Sequence, residues 1–289
     1  MVALLRIAIP NKGRLNQPAV KLMNSIGLPV PDSSTRTLIA EFRKGRYQIL
    51  LARAQDIPEF VEMGVADLGI TGLDLIQETR MDVASVRDLD FGRCRLVVAV
   101  PEESKVKDAS EVQAGSTVAT AFPRLTEEYF RKLGTNVKIA TVTGATEVTP
   151  KIGLADVITD LTETGSTLKL NHLREVGVVL DSVAVLVANK ESLSSKADRI
   201  QEIVNAIDSV IGASKKRYLM ANVPRSTLQN LGSLLPGISG PTIMDIIGRD
   251  DMVAIHAVVN EDEVNGIIAV LKEIGGTGIL ICPIERMVL

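Results

Sequence analysis

A polar segment, residues 160–168, follows an apolar run and combines residue types that could bind a sugar phosphate. The run Ala155-Asp-Val-Ile158 predicts a short buried strand, which Asp160 would end. Gly165 would let backbone N–H groups converge on a phosphate at the start of a following helix. Asp160 and Glu163 would suit ribose hydroxyls or a Mg²⁺ ion. Further hydroxyl donors come from Thr164, Ser166 and Thr167.

Cations follow two other predicted strands. Lys12 and Arg14 flank Gly13 directly after the first strand, and Arg53 follows the strand 48–51. Two cations beside a backbone that can approach closely suit a triphosphate or a pyrophosphate. These positions therefore predict a second phosphate-binding region.

Four more residues could take part in chemistry. Asp74 lies in a tight turn that opens a helix and could contact a base or a ribose, and Glu147 lies at a predicted helix start. His172 and His256 have no partner at catalytic or metal-binding spacing, and His256 sits in an apolar strand pattern typical of a core or interface histidine.

Each of these groups also has a purely structural interpretation. Segment 160–168 could be a strand-to-helix turn with a Ser or Thr N-cap, and segment 12–14 a solvated basic turn. Asp74 and Glu147 could be first-turn acids stabilised by a helix dipole. Only their combination favours two phosphate-bearing substrates that meet between two lobes.

Composition excludes several classes of protein. The 289 residues predict roughly two or three domains, and 46% hydrophobic residues allow a sizeable core. A net charge of −3 argues against nucleic-acid binding. Cys94 and Cys282 match no metal spacing and predict reduced thiols in a cytoplasmic protein, and two histidines make a zinc site or a His-centred triad difficult to build. We find no membrane-spanning run and no signal-peptide pattern, and expect no membrane partner.

Alternating strands and helices predict an α/β fold with two similar lobes. A Gly-x-Ala-Asp turn precedes a strand in each half, at Gly64–Asp67 and Gly153–Asp156, and both strands run into polar loops. Such loops at the carboxyl ends of strands would face a shared cleft. The segment Ser182–Asn189 reads as one strand, and Lys196–Ile211 as a helix.

Beyond Ala213 the pattern changes to a β-α-β-β-α-β order, which fits a small ferredoxin-like module. Modules of this kind are often ligand-sensing or assembly units. The predicted strands are Lys215–Ala221, Met252–Val259 and Ile279–Pro283, and the predicted helices are Arg225–Leu235 and Glu261–Ile274.

Taken in order, the motifs resemble the long, single-polypeptide form of the ATP phosphoribosyltransferase family, the first enzyme of histidine biosynthesis. The resemblance covers nearly the whole chain. The matching segments are Ile9–Leu15, Arg53–Pro58, Asp67–Asp74, Ala119–Thr126, Glu147–Asp156, Asp160–Leu168, Tyr218–Met220, Pro241–Thr242 and Pro283–Leu289.

The resemblance implies transfer of the 5-phosphoribosyl group of phosphoribosyl pyrophosphate (PRPP) to N1 of ATP, with Mg²⁺ as cofactor. It implies a two-lobed catalytic part of the periplasmic-binding-protein type II architecture, followed by a ferredoxin-like (ACT-like) domain that binds histidine as feedback inhibitor. Lobe I would comprise residues 1–90 and 185–211, lobe II residues 91–184, and the regulatory domain residues 212–289. Family members assemble as dimers and hexamers.

The resemblance also assigns roles to individual residues. Because the chain lacks His- or Cys-based catalytic machinery, we expect alignment and electrostatics to drive the transfer, with Asp160, Arg14 and Lys12 as the catalytic residues. PRPP would be bound by Asp160, Glu163, Thr164, Gly165, Ser166, Thr167, Leu168 and Glu147. ATP would be bound by Lys12, Gly13, Arg14, Arg53, Gly72, Leu73 and Asp74, and histidine by Ile238, Ser239 and Thr242. No residue is assigned to the metal.

Two positions depart from the family pattern. Ala121 stands where members often carry a polar residue. Gly240 replaces a serine whose hydroxyl would help to hold histidine, and Ser239 is the neighbour that could supply one instead.

Two other classes fit parts of the sequence. Prephenate dehydratase also joins a two-lobed domain to a small regulatory one, but this chain lacks its Thr-Arg-Phe motif. A non-catalytic solute-binding or sensor protein would share the two-lobed fold. The basic turn at Lys12–Arg14 argues against a sensor of neutral ligands.

Overall fold

The computed structural model describes residues 4–30, 39–42, 45–229 and 240–288. Contacts divide the chain into two compact units, Met1–Gln201 and Glu202–Leu289. This division falls inside one long helix, ten residues before the boundary expected between residues 211 and 212, and that domain boundary stays a prediction.

The first unit holds two sheets. Its strands are β1 Leu5–Pro10, β2 Ile39–Phe42, β3 Tyr47–Ala52, β4 Leu68–Gly72, β5 Ala84–Asp88, β6 Cys94–Pro101, β7 Thr117–Thr120, β8 Lys138–Thr141, β9 Val157–Thr162, β10 Leu173–Ser182 and β11 Ala184–Ala188. Its helices are α1 Asn16–Ser25, α2 Ile57–Glu62, α3 Leu73–Thr79, α4 Pro123–Lys132, α5 Ser166–Leu170, α6 Lys190–Ser195 and α7 Ala197–Ser214, the last of which runs into the second unit.

The first sheet has the strand order β2-β3-β1-β4-β11-β5. Strand β1 pairs in parallel with β3 and with β4. Parallel strands buried on both faces are nearly all apolar, and Ile7, Ala8 and Ile9 are fully buried. Because β1, β3 and β4 point the same way, the loops that follow them lie at one edge of the sheet.

The second sheet has the order β10-β6-β9-β7-β8. Strands β7, β8 and β9 are parallel, and β6 and β10 are antiparallel to their neighbours. The chain passes from the first sheet to the second between Asp88 and Cys94, and it returns at Val183. Two short connections therefore join the two sheets.

Two sequence expectations about this sheet need correction. The predicted strand Ser182–Asn189 is interrupted at Val183, because Ser182 ends β10 in the second sheet and Ala184 starts β11 in the first. Asp160 does not end its strand: it pairs with Val97, and β9 continues to Thr162 because β6 still offers partners there.

The second unit contains β12 Lys216–Pro224, β13 Thr242–Ile246, β14 Arg249–Asn260, α8 Val264–Glu273 and β15 Thr277–Pro283. Its sheet has the order β13-β14-β12-β15, with antiparallel pairs throughout. Sequence patterns missed β13. Of the predicted helix Arg225–Leu235, the described residues begin with a 3₁₀ turn at Arg225–Thr227, and the residues beyond 229 lie outside the described ranges.

Leu219, Val223, Val253, Ile255 and Leu271 form the core of this unit. The strand order and the helix are those of a ferredoxin-like module, so the predicted α/β class with such a C-terminal part is confirmed. Within the described ranges, no helix is long and apolar enough to cross a bilayer.

Candidate functional site

Three loops at one edge of the first sheet carry the predicted cations and Asp74. Because β1 lies between β3 and β4, the loop with Lys12 has the loop with Arg53 on one side and the start of α3 on the other. The Asn11 N–H donates to the Ala52 carbonyl, 2.7 Å away, which holds the first two loops together. Lys12 and Arg53 are exposed, and their side chains have no hydrogen-bond or ion-pair partner among the described residues. They are accessible positive charges.

The backbone of the basic turn is fixed locally. Gly13 has φ of 79°, a left-handed conformation that favours glycine. Its carbonyl accepts from the Asn16 N–H at 3.1 Å, and the Asn16 side chain donates to the Pro10 carbonyl at 2.7 Å. The turn therefore presents Lys12 from a defined backbone.

Arg14 is held differently from Lys12. Its Nη2 lies 3.1 Å from Oδ1 of Asp74, and its Nη1 donates to the Gly92 carbonyl at 2.5 Å. The Arg14 side chain is 24% exposed and that of Asp74 is 1% exposed. Arg14 thus pairs with Asp74 and binds the connection that leads to the second sheet.

Asp74 is held by the returning connection as well. Its N–H donates to Ser182 Oγ at 3.0 Å, and the Ser182 hydroxyl donates to Asp74 Oδ1 at 2.5 Å. The Leu73 N–H donates to the Val183 carbonyl at 3.0 Å. The start of α3 is therefore fixed to both connections between the sheets.

Gly72, at the end of β4, makes room for this arrangement. A Cβ added there would lie 2.2 Å from Asp74 Oδ1 and 3.4 Å from Arg14 Nη2. Any side chain at position 72 would displace the carboxylate of Asp74.

The second sheet brings two predicted acids near each other. Asp160, in β9, accepts a hydrogen bond from the Leu161 N–H at 2.8 Å. Burial raises the pKa of Asp160 to about 6, the Leu161 hydrogen bond lowers it, and the negative charge of Glu147 raises it further. Glu147 lies in a 3₁₀ turn, Thr146–Val148. The pair could bind ribose hydroxyls or share a cation.

The predicted phosphate loop turns sharply between β9 and α5. Gly165 has φ of 77°, and its N–H donates to Thr162 Oγ1 at 2.8 Å. The Thr164 hydroxyl donates to Ser166 Oγ at 3.0 Å. Leu168 is buried and anchors the short helix, while Glu163, Thr164, Ser166 and Thr167 are exposed. First-turn N–H groups and hydroxyls are thus presented together to solvent, as an anion site requires.

Charged residues from both sheets affect the pKa of one thiol, that of Cys94 at the start of β6. Burial raises the pKa of Cys94, Arg14 lowers it, and the charges of Asp74 and Glu163 raise it. Ser182 also hydrogen-bonds the thiol. The Arg14–Asp74 pair of the first sheet and Glu163 of the phosphate loop are therefore both near enough to Cys94 to affect the pKa of its thiol.

Three residues near these loops were missed by sequence reasoning. The Oδ1 atom of Asn11 and the Oγ1 atom of Thr159 are buried without a hydrogen-bond partner among the described residues, and each lies beside a predicted site residue. Both are polar residues at or near the carboxyl end of a strand, so this sequence pattern could have identified them. Ser182 carried no local signal, because its partner Asp74 is 108 positions away.

The remaining predicted positions concern metal and histidine. The described residues contain no group of three or more His, Cys, Asp or Glu side chains that could hold a metal ion. Thr242 is exposed on β13, whereas Ile238 and Ser239 lie outside the described residues. Gly240 has φ of 78°, where a serine would be strained.

Of the two histidines, His172 lines a cavity together with Glu147, and His256 belongs to the second unit. His172 lies 3.6 Å from a carboxylate oxygen of Glu102, with both side chains largely exposed. His256, on β14, has its Nδ1 hydrogen-bonded to the Tyr218 hydroxyl, while its Nε2 is buried without a partner in the described part of the chain.

Two family profiles match the sequence. The profile described as HisG, ATP phosphoribosyltransferase, matches residues 53–209, and the profile of the HisG C-terminal domain matches residues 213–286.

Curated relatives match over nearly full length. The chain is 43% identical to the ATP phosphoribosyltransferase of Methanothermobacter thermautotrophicus, covering 98% of this chain and 99% of the relative. It is 47% identical to that of Methanocella arvoryzae, covering 99% and 100%.

A solved structure shares the fold over most of the chain. The ATP phosphoribosyl transferase (HisG:HisZ) complex of Thermotoga maritima superposes with a TM-score of 0.63 at 26% identity. The match covers 71% of this chain and 99% of the other.

Proposed function

Because the chain belongs to the ATP phosphoribosyltransferase family, we propose that it transfers the 5-phosphoribosyl group of PRPP to N1 of ATP, releasing pyrophosphate. The observation that carries the proposal is that hydrogen bonds tie the basic edge of the first sheet to the second sheet, which carries the hydroxyl-rich loop. Arg14 pairs with Asp74 and donates to the Gly92 carbonyl, and Asp74 is hydrogen-bonded to Ser182 at the end of β10. The product is N1-(5-phospho-β-D-ribosyl)-ATP, and the reaction would open histidine biosynthesis.

PRPP would bind at the second sheet. The first-turn N–H groups of α5 and the hydroxyls of Thr164, Ser166 and Thr167 would hold its 5-phosphate. Gly165 and Leu168 shape and anchor the loop. Asp160 and Glu147 lie beside it and would accept hydrogen bonds from the ribose hydroxyls.

ATP would bind at the first sheet. Lys12 and Arg53 supply accessible charges for phosphate oxygens, and Gly13 allows close approach of the backbone. Gly72, Leu73 and Asp74 form the adjoining wall, with Arg14 held against Asp74. The Arg14 side chain is 24% exposed, and its positive charge would act on substrate phosphates while it positions Asp74.

The transfer needs few proton-transfer groups, because adenine N1 is already a nucleophile. The N1–C1 bond forms while the bond from C1 to the pyrophosphate oxygen breaks, and that electron pair leaves with pyrophosphate. Lys12 and Arg14 would stabilise the charge that develops on the leaving group, and ionised Asp160 would stabilise positive charge at C1. Catalysis would rest on alignment and electrostatics.

We propose that Mg²⁺ binds together with the substrate phosphates, next to the acids of the second sheet. Mg²⁺ usually binds one or two carboxylates together with substrate phosphates, and the electrostatically coupled acids Asp160 and Glu147 offer that number. When bound, the ion would offset the negative charge of the pyrophosphate.

The ferredoxin-like second unit and the family membership support two more proposals, one on regulation and one on assembly. We propose that histidine binds the ferredoxin-like unit, with Ile238, Ser239 and Thr242 as the contacting residues, and that it inhibits the reaction. We further propose a cytoplasmic dimer or hexamer.

The test is direct. Purified protein is incubated with ATP, PRPP, Mg²⁺ and pyrophosphatase, and phosphoribosyl-ATP is sought by chromatography. Product that disappears when PRPP is omitted supports the proposal, and histidine titration follows. Failure to form product while ATP still binds would overturn the transferase assignment and leave a two-lobed nucleotide binder.

A further inference from the structure

Helix α3, which follows the first sheet's strand β4, meets helix α4 of the second sheet end to end. The two carboxylate oxygens of Glu78, near the end of α3, accept hydrogen bonds from the first turn of α4. Oε1 accepts from the Arg124 N–H at 2.9 Å, and Oε2 accepts from the Leu125 N–H at 3.0 Å. One side chain from the first sheet thus caps a helix of the second.

This cap supplies what α4 lacks on its own. The residue at its N-cap position, Phe122, has no side-chain oxygen, and no capping hydrogen bond is made there. The first N–H groups of a helix have no partner within the helix, and its N-terminus favours negative charge. Glu78 therefore satisfies two donors that would otherwise depend on water.

The contact is reciprocal. The Arg124 side chain donates back to the Thr79 carbonyl at 3.0 Å, one of the last carbonyls of α3. Arg80, directly after α3, pairs with Glu128 of α4. Each helix end is thus stabilised by charged groups from the other.

An apolar contact lies beside these polar ones. Leu75 of α3 packs against a buried cluster of the second sheet formed by Leu96, Phe122 and Leu125. Burial of this kind favours a fixed position of α3 relative to α4, and the Glu78 hydrogen bonds set its direction.

The position of this junction gives it a role in alignment. Helix α3 begins at Leu73 and Asp74, in the wall proposed for ATP. Helix α4 follows β7, which pairs in parallel with β9, the strand that carries Asp160. The Glu78 contact therefore links the edge proposed for ATP with the edge proposed for PRPP.

We propose that Glu78 is a positioning residue, a latch between α3 and α4 that holds the two sheets in the arrangement that binds both substrates. This inference rests on the proposed function for its kinetic consequence. If only a fraction of molecules has the binding-competent arrangement, apparent affinity falls by that fraction. Saturating substrates would still draw the molecules into it.

The variants follow from the geometry. Glu78→Ala removes both acceptors. Glu78→Gln keeps one oxygen that can accept one N–H, so it should give partial rescue. Glu127→Ala is the matched control, because Glu127 lies in α4, is exposed and has no partner among the described residues.

Two measurements are made on the full-length protein. Amide hydrogen exchange, read by mass spectrometry on overlapping peptides, should show at least tenfold faster exchange at residues 124 and 125 in Glu78→Ala. KM for both ATP and PRPP should rise at least fivefold while kcat falls less than twofold. Glu78→Gln should lie between, and Glu127→Ala should match the parent.

The outcomes separate the proposals. Unchanged exchange and unchanged KM in Glu78→Ala would overturn the latch. A fall in kcat at constant KM would also overturn it, because that result reports a loss of folded enzyme. If the parent protein forms no product, the function fails, while the exchange measurement still decides whether Glu78 holds the two helices together.

Discussion

Arg14 and Asp74 form a largely buried ion pair, with Nη2 3.1 Å from Oδ1, at the point where both connections between the two sheets meet. Arg14 also donates to the Gly92 carbonyl on the outgoing connection, and Asp74 exchanges hydrogen bonds with Ser182, the last residue of β10 before the returning connection. A single pair of opposite charges therefore fixes the first basic turn, the start of α3 and both connections.

Asp74→Ala should be strongly destabilising. It leaves the Arg14 guanidinium without its carboxylate and the Ser182 hydroxyl without its acceptor. Breaking a buried pair by removing one partner costs about 3–5 kcal/mol, and the partial exposure of Arg14 places the expected loss nearer about 2–3 kcal/mol. The measurement is the free energy of unfolding from a urea titration.

The matched control for that loss is an exposed ion pair of the same sheet region. Asp82 pairs with Lys190 at 2.5 Å, and both side chains are more than half exposed. Exposed pairs contribute about 0–1 kcal/mol, so Asp82→Ala should leave stability nearly unchanged. Equal losses in Asp74→Ala and Asp82→Ala would contradict the role given to the Arg14–Asp74 pair.

Gly72→Ala should disturb the same pair without removing a charge. The new methyl group would lie 2.2 Å from Asp74 Oδ1, so the carboxylate must move. The free energy of unfolding should fall by about 1–3 kcal/mol, as for overpacking in a core.

Gly266→Ala is the control. Position 266 is exposed in α8, with nothing within 4 Å of an added Cβ, and alanine there should stabilise the helix by about 0.5–1 kcal/mol. The measurement is the free energy of unfolding from a urea titration. If both substitutions changed it in the same direction, the proposed clash between the new methyl group and Asp74 would be wrong.

The sequence predicted strands best where a short apolar run is bounded by polar residues. The predicted strands 48–51, Met252–Val259 and Ile279–Pro283 all lie within observed strands, β3, β14 and β15, because each is a short apolar run next to polar residues. Strand β10 was missed because its pattern is irregular: its register shifts between Glu175 and Gly177 and again between Val178 and Leu180. The break at Val183 was missed because apolar residues continue across the point where the chain changes sheets.

For the candidate site, the sequence identified the loops and not their internal partners. The sequence predicted turns at Gly13 and Gly165, and both residues have φ values near 80°, which glycine adopts readily. Ser182 and Glu78 could not be found, because their partners lie 108 and 46 positions away and depend on how two sheets come together. Local patterns carry no information about such distant contacts.

Asp160 should make stability depend on pH. Burial raises its pKa from 3.8 to about 6, so the folded state binds a proton more tightly than the unfolded state does. This contribution to stability is fully present below about pH 4 and is lost as pH rises through about 6. Asp160→Asn removes the ionising group, so the variant should be more stable than the parent at pH 8, by about 1–3 kcal/mol. Urea unfolding at pH 5 and pH 8 gives the comparison.

The same substitution should lower activity, because the proposed role of Asp160 needs the carboxylate. We expect kcat in Asp160→Asn to fall at least tenfold at pH 8. Asp156, in the loop just before the same strand, provides the control: Asp156→Asn keeps an oxygen that can accept from the Thr117 N–H, and it should keep activity and show no gain in stability at pH 8. A more active, less stable Asp160→Asn would reverse both expectations and exclude this role.

Gly165→Ala should weaken PRPP binding through the backbone alone. The position has φ of 77° and nothing within 4 Å of an added Cβ, so the substitution introduces strain without a clash. A non-glycine residue in this conformation costs about 1–3 kcal/mol, which the loop can relieve by changing shape. Gly134, after α4, has φ of 78° and equally open surroundings, so Gly134→Ala carries the same strain away from the loop. Both variants should lose similar stability by urea unfolding, and only Gly165→Ala should raise KM for PRPP, by at least tenfold. Equal KM values in the two variants would show that the loop around Gly165 does not hold the 5-phosphate.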